Sequence, residues 1–188
     1  EPPVFRSAFM GSAVYAERAH KSGENIVAMI CLDMIGYYSN RKGEQGFPLP
    51  FMSLFYPTTP NSLAIVGNLS SRRLVRDVAV SLRKTPGLAV ETLTMVGYFP
   101  GVDFSDHRSF WKQGYPAVMI TDTAFFRNPN YHGETDTIET LDFKRMEILL
   151  GGLSYDSSSA DFALARYSAD GSPDTSFGTG GKLTTAIG

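Results

Sequence analysis

Two residues in this sequence have types and settings suited to chemistry. Asp33 follows the apolar run Ile26-Val27-Ala28-Met29-Ile30-Cys31-Leu32 and precedes Met34-Ile35-Gly36. A carboxylate in such a run is costly unless it is paired, hydrogen-bonded or bound to a metal. Two accounts stand side by side. One is a ligand position toward the carboxyl end of a strand, where open α/β sheets place their sites. The other is a structural Asp that bonds loop amides. His132, one of three histidines, lies in Asn128-Pro129-Asn130-Tyr131-His132-Gly133-Glu134-Thr135-Asp136. That loop follows a short apolar stretch, 117–120, and the aromatic pair Phe125-Phe126. It can aim a ring nitrogen into a cleft, or His132 is a plain surface histidine. Carboxylate and imidazole both suit zinc. Glu1 is a third donor by type, or else a solvated chain end. Asp136, four residues after His132, can accept from its other ring nitrogen and fix the tautomer, or simply cap a turn.

Ser105-Asp106-His107 invites a serine-nucleophile reading, but the Gly-x-Ser-x-Gly turn of a hydrolase is absent. A capped helix start with a local Asp/His pair accounts for it. His20 falls late in a helical stretch, where the dipole favours a cation.

These residues need elements to hold them. The spacing of Met10, Val14 and the alanines predicts a helix over 7–21, stopped by Ser22-Gly23. Residues 25–36 read as the strongest strand, central and buried on both faces. Residues 37–61 carry four prolines among aromatics and form a long irregular excursion. Strands follow at 63–67, 88–95 and 117–120, with helices at 70–84, 106–113 and 142–150, and Ser70, Ser105 and Asp142 as their caps. Arg72, Arg73 and Arg76 form a solvated face. Strands alternating with helices argue for an α/β layered domain. After Gly151-Gly152 a Ser-rich link, two strand-like runs and Gly-rich turns give a short β-rich segment that cannot build its own core. The boundary falls near 153, dividing 1–152 from 153–188.

The net charge of −2 gives no basic field for nucleic acid, and no apolar run is long enough to span a membrane. The lone Cys31 cannot form an internal disulfide and reads as a small core residue.

Three segments, Ile-Cys-Leu-Asp-Met-Ile-Gly-Tyr (30–37), Gly-Val-Asp-Phe-Ser-Asp-His-Arg-Ser-Phe (101–110) and Asn-Tyr-His-Gly-Glu-Thr-Asp-Thr (130–137), resemble in order those of the co-catalytic two-zinc aminopeptidases. So do Glu-Pro-Pro-Val-Phe at the start and Met-Gly-Ser at 10–12. This is the family of bacterial leucyl and yeast vacuolar aminopeptidases, with the glutaminyl cyclases as relatives. The resemblance covers about 1–152. It implies a three-layer α/β/α sandwich with a mixed, mainly parallel sheet, and two zinc ions in the complete enzyme. It implies that Asp33 binds one zinc, and that His132 and Glu1 bind the other. Asp106, His107, Tyr131 and Asp136 would support the cleft or position substrate, a peptide with a free amino terminus. The family's His-x-Asp motif is absent, and its general-base glutamate would stand just before Glu1. No catalytic base is therefore assigned here, and the chain reads as the carboxyl-terminal part of a catalytic domain, inactive alone.

Residues 161–182 resemble the delta-sixty repeat of large bacterial secreted proteins, which resembles propeller blades. The two resemblances together imply a secreted or periplasmic bacterial protein. The alternatives are a glutaminyl-cyclase-like zinc acyltransferase and a non-catalytic secreted repeat or binding protein.

Overall fold

Apolar periodicity sets the elements, and their pairing sets the site. The computed structural model describes residues 5–85, 87–97, 99–149, 152–155, 160–165 and 182–187, with side chains through residue 146. The chain divides into two units, Glu1–Asp142 and Phe143–Gly188.

The first unit holds helices α1 (Gly11–Ser22), α2 (Arg72–Leu82) and α3 (His107–Lys112), and strands β1 (Met29–Leu32), β2 (Ser62–Asn68), β3 (Ala89–Met95) and β4 (Ala117–Thr121). Among the described residues its sheet runs β1-β4-β2-β3. β1 is parallel to β4 and β2 to β3, while β2 and β4 are antiparallel. The sheet is thus mixed and mainly parallel, as expected.

The register sorts side chains onto two faces, because successive residues of a strand alternate. Cys31, Met119, Val66 and Leu93 share one face and pack with Val102, Phe99 and Trp111. On that face α1 and α3 meet through Ala16, Phe110 and Ala117. Gly67 and Val118 share the other face, where α2 brings Val75. Val75, Val78, Ala79 and Leu82 are buried along α2, and Arg72, Arg73 and Arg76 are exposed. Helices therefore cover both faces, which is the three-layer α/β/α arrangement.

The structure corrects several sequence expectations. β1 has four residues, so Asp33 stands just past the strand and not within it. Among the described residues β1 pairs with β4, and Leu32 is 42% exposed. α1 begins at Gly11, because the chain before it is extended at Met10, with ψ 136°. The Ser105 hydroxyl caps no helix; it pairs with Cys31 Sγ at 3.1 Å. Ser70 does not cap α2: it lies within the 3-10 turn Leu69–Ser71 that leads into the helix, and Asn68 caps that turn, its Oδ1 accepting the Ser71 N–H. Cys31 is buried, in agreement with the core reading.

The second unit holds α4 (Phe143–Leu149) and three strands, β5 (Gly152–Tyr155), β6 (Ala160–Ala165) and β7 (Lys182–Ile187), in an antiparallel sheet ordered β5-β6-β7. β5 falls partly where the sequence suggested only a Ser-rich link.

Gly67 marks the tightest helix–sheet approach. A Cβ there would sit 2.4 Å from Val75 Cγ2, and valine in a helix has few rotamers to retreat into. Gly67→Ala is expected to cost about 1–3 kcal/mol by overpacking. Chemical denaturation checks this, with an unchanged midpoint as the contrary result.

Candidate active site

The cleft forms where β1 and β4 end together. Asp33 N–H continues the ladder to Ile120 O at 3.1 Å, which sets its side chain beside Thr121 on the face of Cys31 and Met119. The chain then turns sharply at Met34, whose φ is +54°. Left-handed backbone at a non-glycine residue costs roughly 1 kcal/mol or more and recurs at functional sites. Five such residues occur among those described, and Met34, Thr123, Ala124 and His132 all lie in the two loops that frame this cleft.

A buried carboxylate fastens those loops. Asp122, fully buried just after β4, accepts N–H bonds from Tyr37 and Ala124, each at 2.8 Å. Burial pushes its pKa up, and bonds from the Tyr37, Ala124 and Gly36 amides and the nearby Arg127 charge oppose this. A second tie joins the 37–61 excursion to the loop after β4. Arg127 Nε donates to Gln45 Oε1 at 2.9 Å, and Gln45 Nε2 donates to Thr123 Oγ1 at 2.9 Å. Gly46 N–H reaches Phe126 O at 2.6 Å, an approach that a Cβ at Gly46, 2.9 Å from that oxygen, would crowd.

The cleft is lined by Asp33, Met34, Glu91, Phe125, Arg127 and Tyr131, among others. Asp33 is half-buried, and among the described residues its carboxylate has no hydrogen-bond or ion-pair partner. The role of bonding loop amides, one of its two sequence-level accounts, belongs to Asp122. Tyr131 lines the cleft and packs on Phe125 with centroids 5.7 Å apart. His132 is exposed, with its ring stacked on Tyr131 at 3.9 Å and 15°. Asp136 does not take the ring proton of His132, as the sequence suggested. Its Oδ2 accepts the His132 backbone N–H at 3.4 Å, because the tight turn brings the amide and not the imidazole toward it.

Asp106 and His107 do not line the cleft. Asp106 is exposed. His107 is fully buried, edge-on to Trp111 at 4.5 Å, with Nε2 at 2.7 Å from Val102 O. A carbonyl only accepts, so Nε2 carries the proton, and Nδ1 is buried with no partner among the described residues. Glu1 lies outside the described residues. Among the described residues no three His, Cys, Asp or Glu side chains converge. Asp33 and His132 suit a metal by type, yet the described residues do not by themselves complete a metal site. Sequence reasoning missed Asp122, Gln45, Glu91 and Arg127. Asp122 carried a legible signal, an acid at the carboxyl end of an apolar strand, as Asp33 does.

Residues 7–150 match the family described as peptidase family M28. The chain belongs to peptidase family M28. Members of M28 are generally metal-dependent and act on peptides. The chain is 42% identical over 153 residues to YfbL, an uncharacterized protein of Escherichia coli (strain K12), covering 81% of this chain and 46% of that one. It is 47% identical over 47 residues to a probable leucine aminopeptidase of Arthroderma benhamiae, covering 24% of this chain and 13% of that one. The M28 unit resembles the Legionella pneumophila LapA aminopeptidase in fold, with a TM-score of 0.51 at 19% identity over 74% of this chain and 32% of that one. The chain thus spans less than half the length of these relatives. Residues 147–177 match a β-propeller domain of unknown function, DUF5122.

His107 gives this M28 chain a pH signature. Burial lowers its pKa below the ordinary 6.5, while the Val102 bond and the nearby acids oppose this. The unfolded chain therefore takes up a proton below about 6.5 that the folded chain refuses. Stability is expected to fall as pH drops through that value. His107→Gln preserves a donor toward Val102 O and removes the titration, so its melting temperature is expected to fall less between pH 7.5 and 5.5. Parallel pH profiles for the two proteins would contradict this.

Proposed function

We propose that these residues form one wall of the active site of a zinc-dependent aminopeptidase, a hydrolase acting on the amino-terminal residue of peptides. One observation carries the reading: in a chain of family M28, a half-buried carboxylate, Asp33, with no partner among the described residues lies at the strand ends, on the lining of the cleft. A carboxylate placed so is open to a ligand from outside the described side chains.

Asp33 and His132 are the donors this chain would contribute to zinc, with Glu1 as a third. Further ligands for a two-ion site, and the general base, would come from residues outside this sequence. A bound zinc supplies a Lewis acid and a water of lowered pKa. The chain's own residues do the remaining work of this wall. Phe125 and Tyr131 form an apolar side that displaces water and so strengthens electrostatic interactions within the cleft. Asp122 and Arg127 hold the loops on which Asp33 and Tyr131 stand. Asp106, His107 and Asp136 act one step back, through backbone geometry. A secreted or periplasmic location, and a role for residues 153–188 as part of a repeat, belong to the same reading.

Two measurements test it. The 188-residue chain is expected to hold zinc substoichiometrically and to leave leucinamide unhydrolysed, since its described donors are too few. Tight stoichiometric zinc with turnover would contradict this. With zinc supplied, leucinamide is expected to perturb the NMR signals of Met34 and Tyr131, and N-acetyl-leucinamide to leave them still. Equal responses would remove the requirement for a free amine, and with it the aminopeptidase reading.

A further inference from the structure

The floor of the cleft ends in a second acid. Leu32 pairs with Ile120, so Asp33 falls beside Thr121; Thr121 pairs with Ala64, and Ala64 with Glu91. Thr121, Ala64 and Glu91 thus form one row across β4, β2 and β3, with Asp33 at its end just past β1, and all four line the cleft. The row spans three inter-strand steps of about 4.8 Å, or roughly 14 Å between its ends. Its two middle residues are small, which leaves a trough between two carboxylates. Val66, Leu93 and Met119 give that trough apolar walls.

Glu91 is half-buried, and among the described residues it has no hydrogen-bond or ion-pair partner. Arg127 is the one basic residue among those lining the cleft, and its guanidinium is committed elsewhere. Nε donates to Gln45 Oε1 and to Thr123 Oγ1, and Nη1 reaches Tyr37 O at 3.5 Å. Tyr56 lies within the reach of the Glu91 charge, and its hydroxyl donates to Thr92 O at 3.0 Å. Among the described residues that line the cleft, none is paired with Glu91. A carboxylate among apolar walls is costly until a cation meets it.

The spacing defines that cation. A lysine side chain extends about 6 Å from Cα to Nζ, five bonds of roughly 1.5 Å in zigzag. Its stem is apolar and its head is charged, as the walls and the end of the trough require. Together with a charge-assisted hydrogen bond of about 3 Å at one end and the reacting group at the other, it fills the row. A leucine side chain would stop midway and leave Glu91 unpaired.

On the reading that this cleft is an aminopeptidase site, we infer that Glu91 is a specificity-determining residue, selecting peptides whose first side chain is lysine or arginine. The test is ligand-observed NMR titration of the zinc-supplied 188-residue chain with lysinamide and leucinamide. Lysinamide is expected to bind about tenfold tighter, the worth of one charge-assisted bond. Glu91→Gln is expected to bring lysinamide to the level of leucinamide and leave leucinamide unchanged. Glu91→Lys is expected to abolish lysinamide binding and admit the α-amide of glutamic acid, a reversal that a merely structural role does not produce. Leucinamide binding as tightly as lysinamide, or a Glu91→Gln variant with the ratio intact or both affinities equally weakened, overturns the assignment and leaves the aminopeptidase reading standing. Failure of both amides to bind the parent chain overturns the two together.

Discussion

The carboxylate of Asp122 has no access to solvent, and it accepts N–H groups from both sides of the strand ends, at Gly36 and Tyr37 and at Ala124. Burying an ionised acid is unfavourable, and backbone amides offset that cost only where they converge on it. The loops that provide those amides are therefore held to one course. One of them leaves Asp33 through a left-handed Met34. The other passes through left-handed Thr123 and Ala124 to Arg127 and Tyr131. Loss of the Asp122 contacts would free both loops, and the cleft exists only because both are fixed.

The sheet beneath makes the same point in another way. Because β2 runs against β4, the carboxyl ends of β1 and β4 meet the amino ends of β2 and β3. The floor of the cleft is thus a single row of paired residues, acidic at each end and small between. Neither helix layer intrudes on it, since α2 packs on the opposite face and α1 and α3 pack around Phe110 and Ala117. What the cleft recognises follows from that register more than from any loop.

Much of this was legible in the sequence. The alternation of apolar strands with an amphipathic α2 gave the α/β class, and the three motifs around Asp33, His107 and His132 led to the family that residues 7–150 match. The sequence was less informative wherever two elements had to be known at once. The apolar run before Asp33 read as one strand through Gly36, but the strand ends at Leu32, because the backbone turns left-handed at Met34. Asp136 lay at the right spacing for the His132 ring, but the turn directs the backbone amide to it. Asp122 was passed over although it repeats the pattern of Asp33. It is the structural acid that Asp33 was weighed as being, and its partners are amides, which carry no sequence signal. Glu91 became visible only through register.

The account rests on the proposal that Asp33, on the cleft lining, and His132, exposed on the loop beyond it, both face a metal. The most direct measurement is a zinc titration of the 188-residue chain followed by the ring signals of its three histidines. His132 is expected to shift. His107, buried with Nε2 bound to Val102 O, and His20, whose ring meets Tyr115 edge-on, are expected to stay still. A His132 signal that ignores zinc would contradict the account.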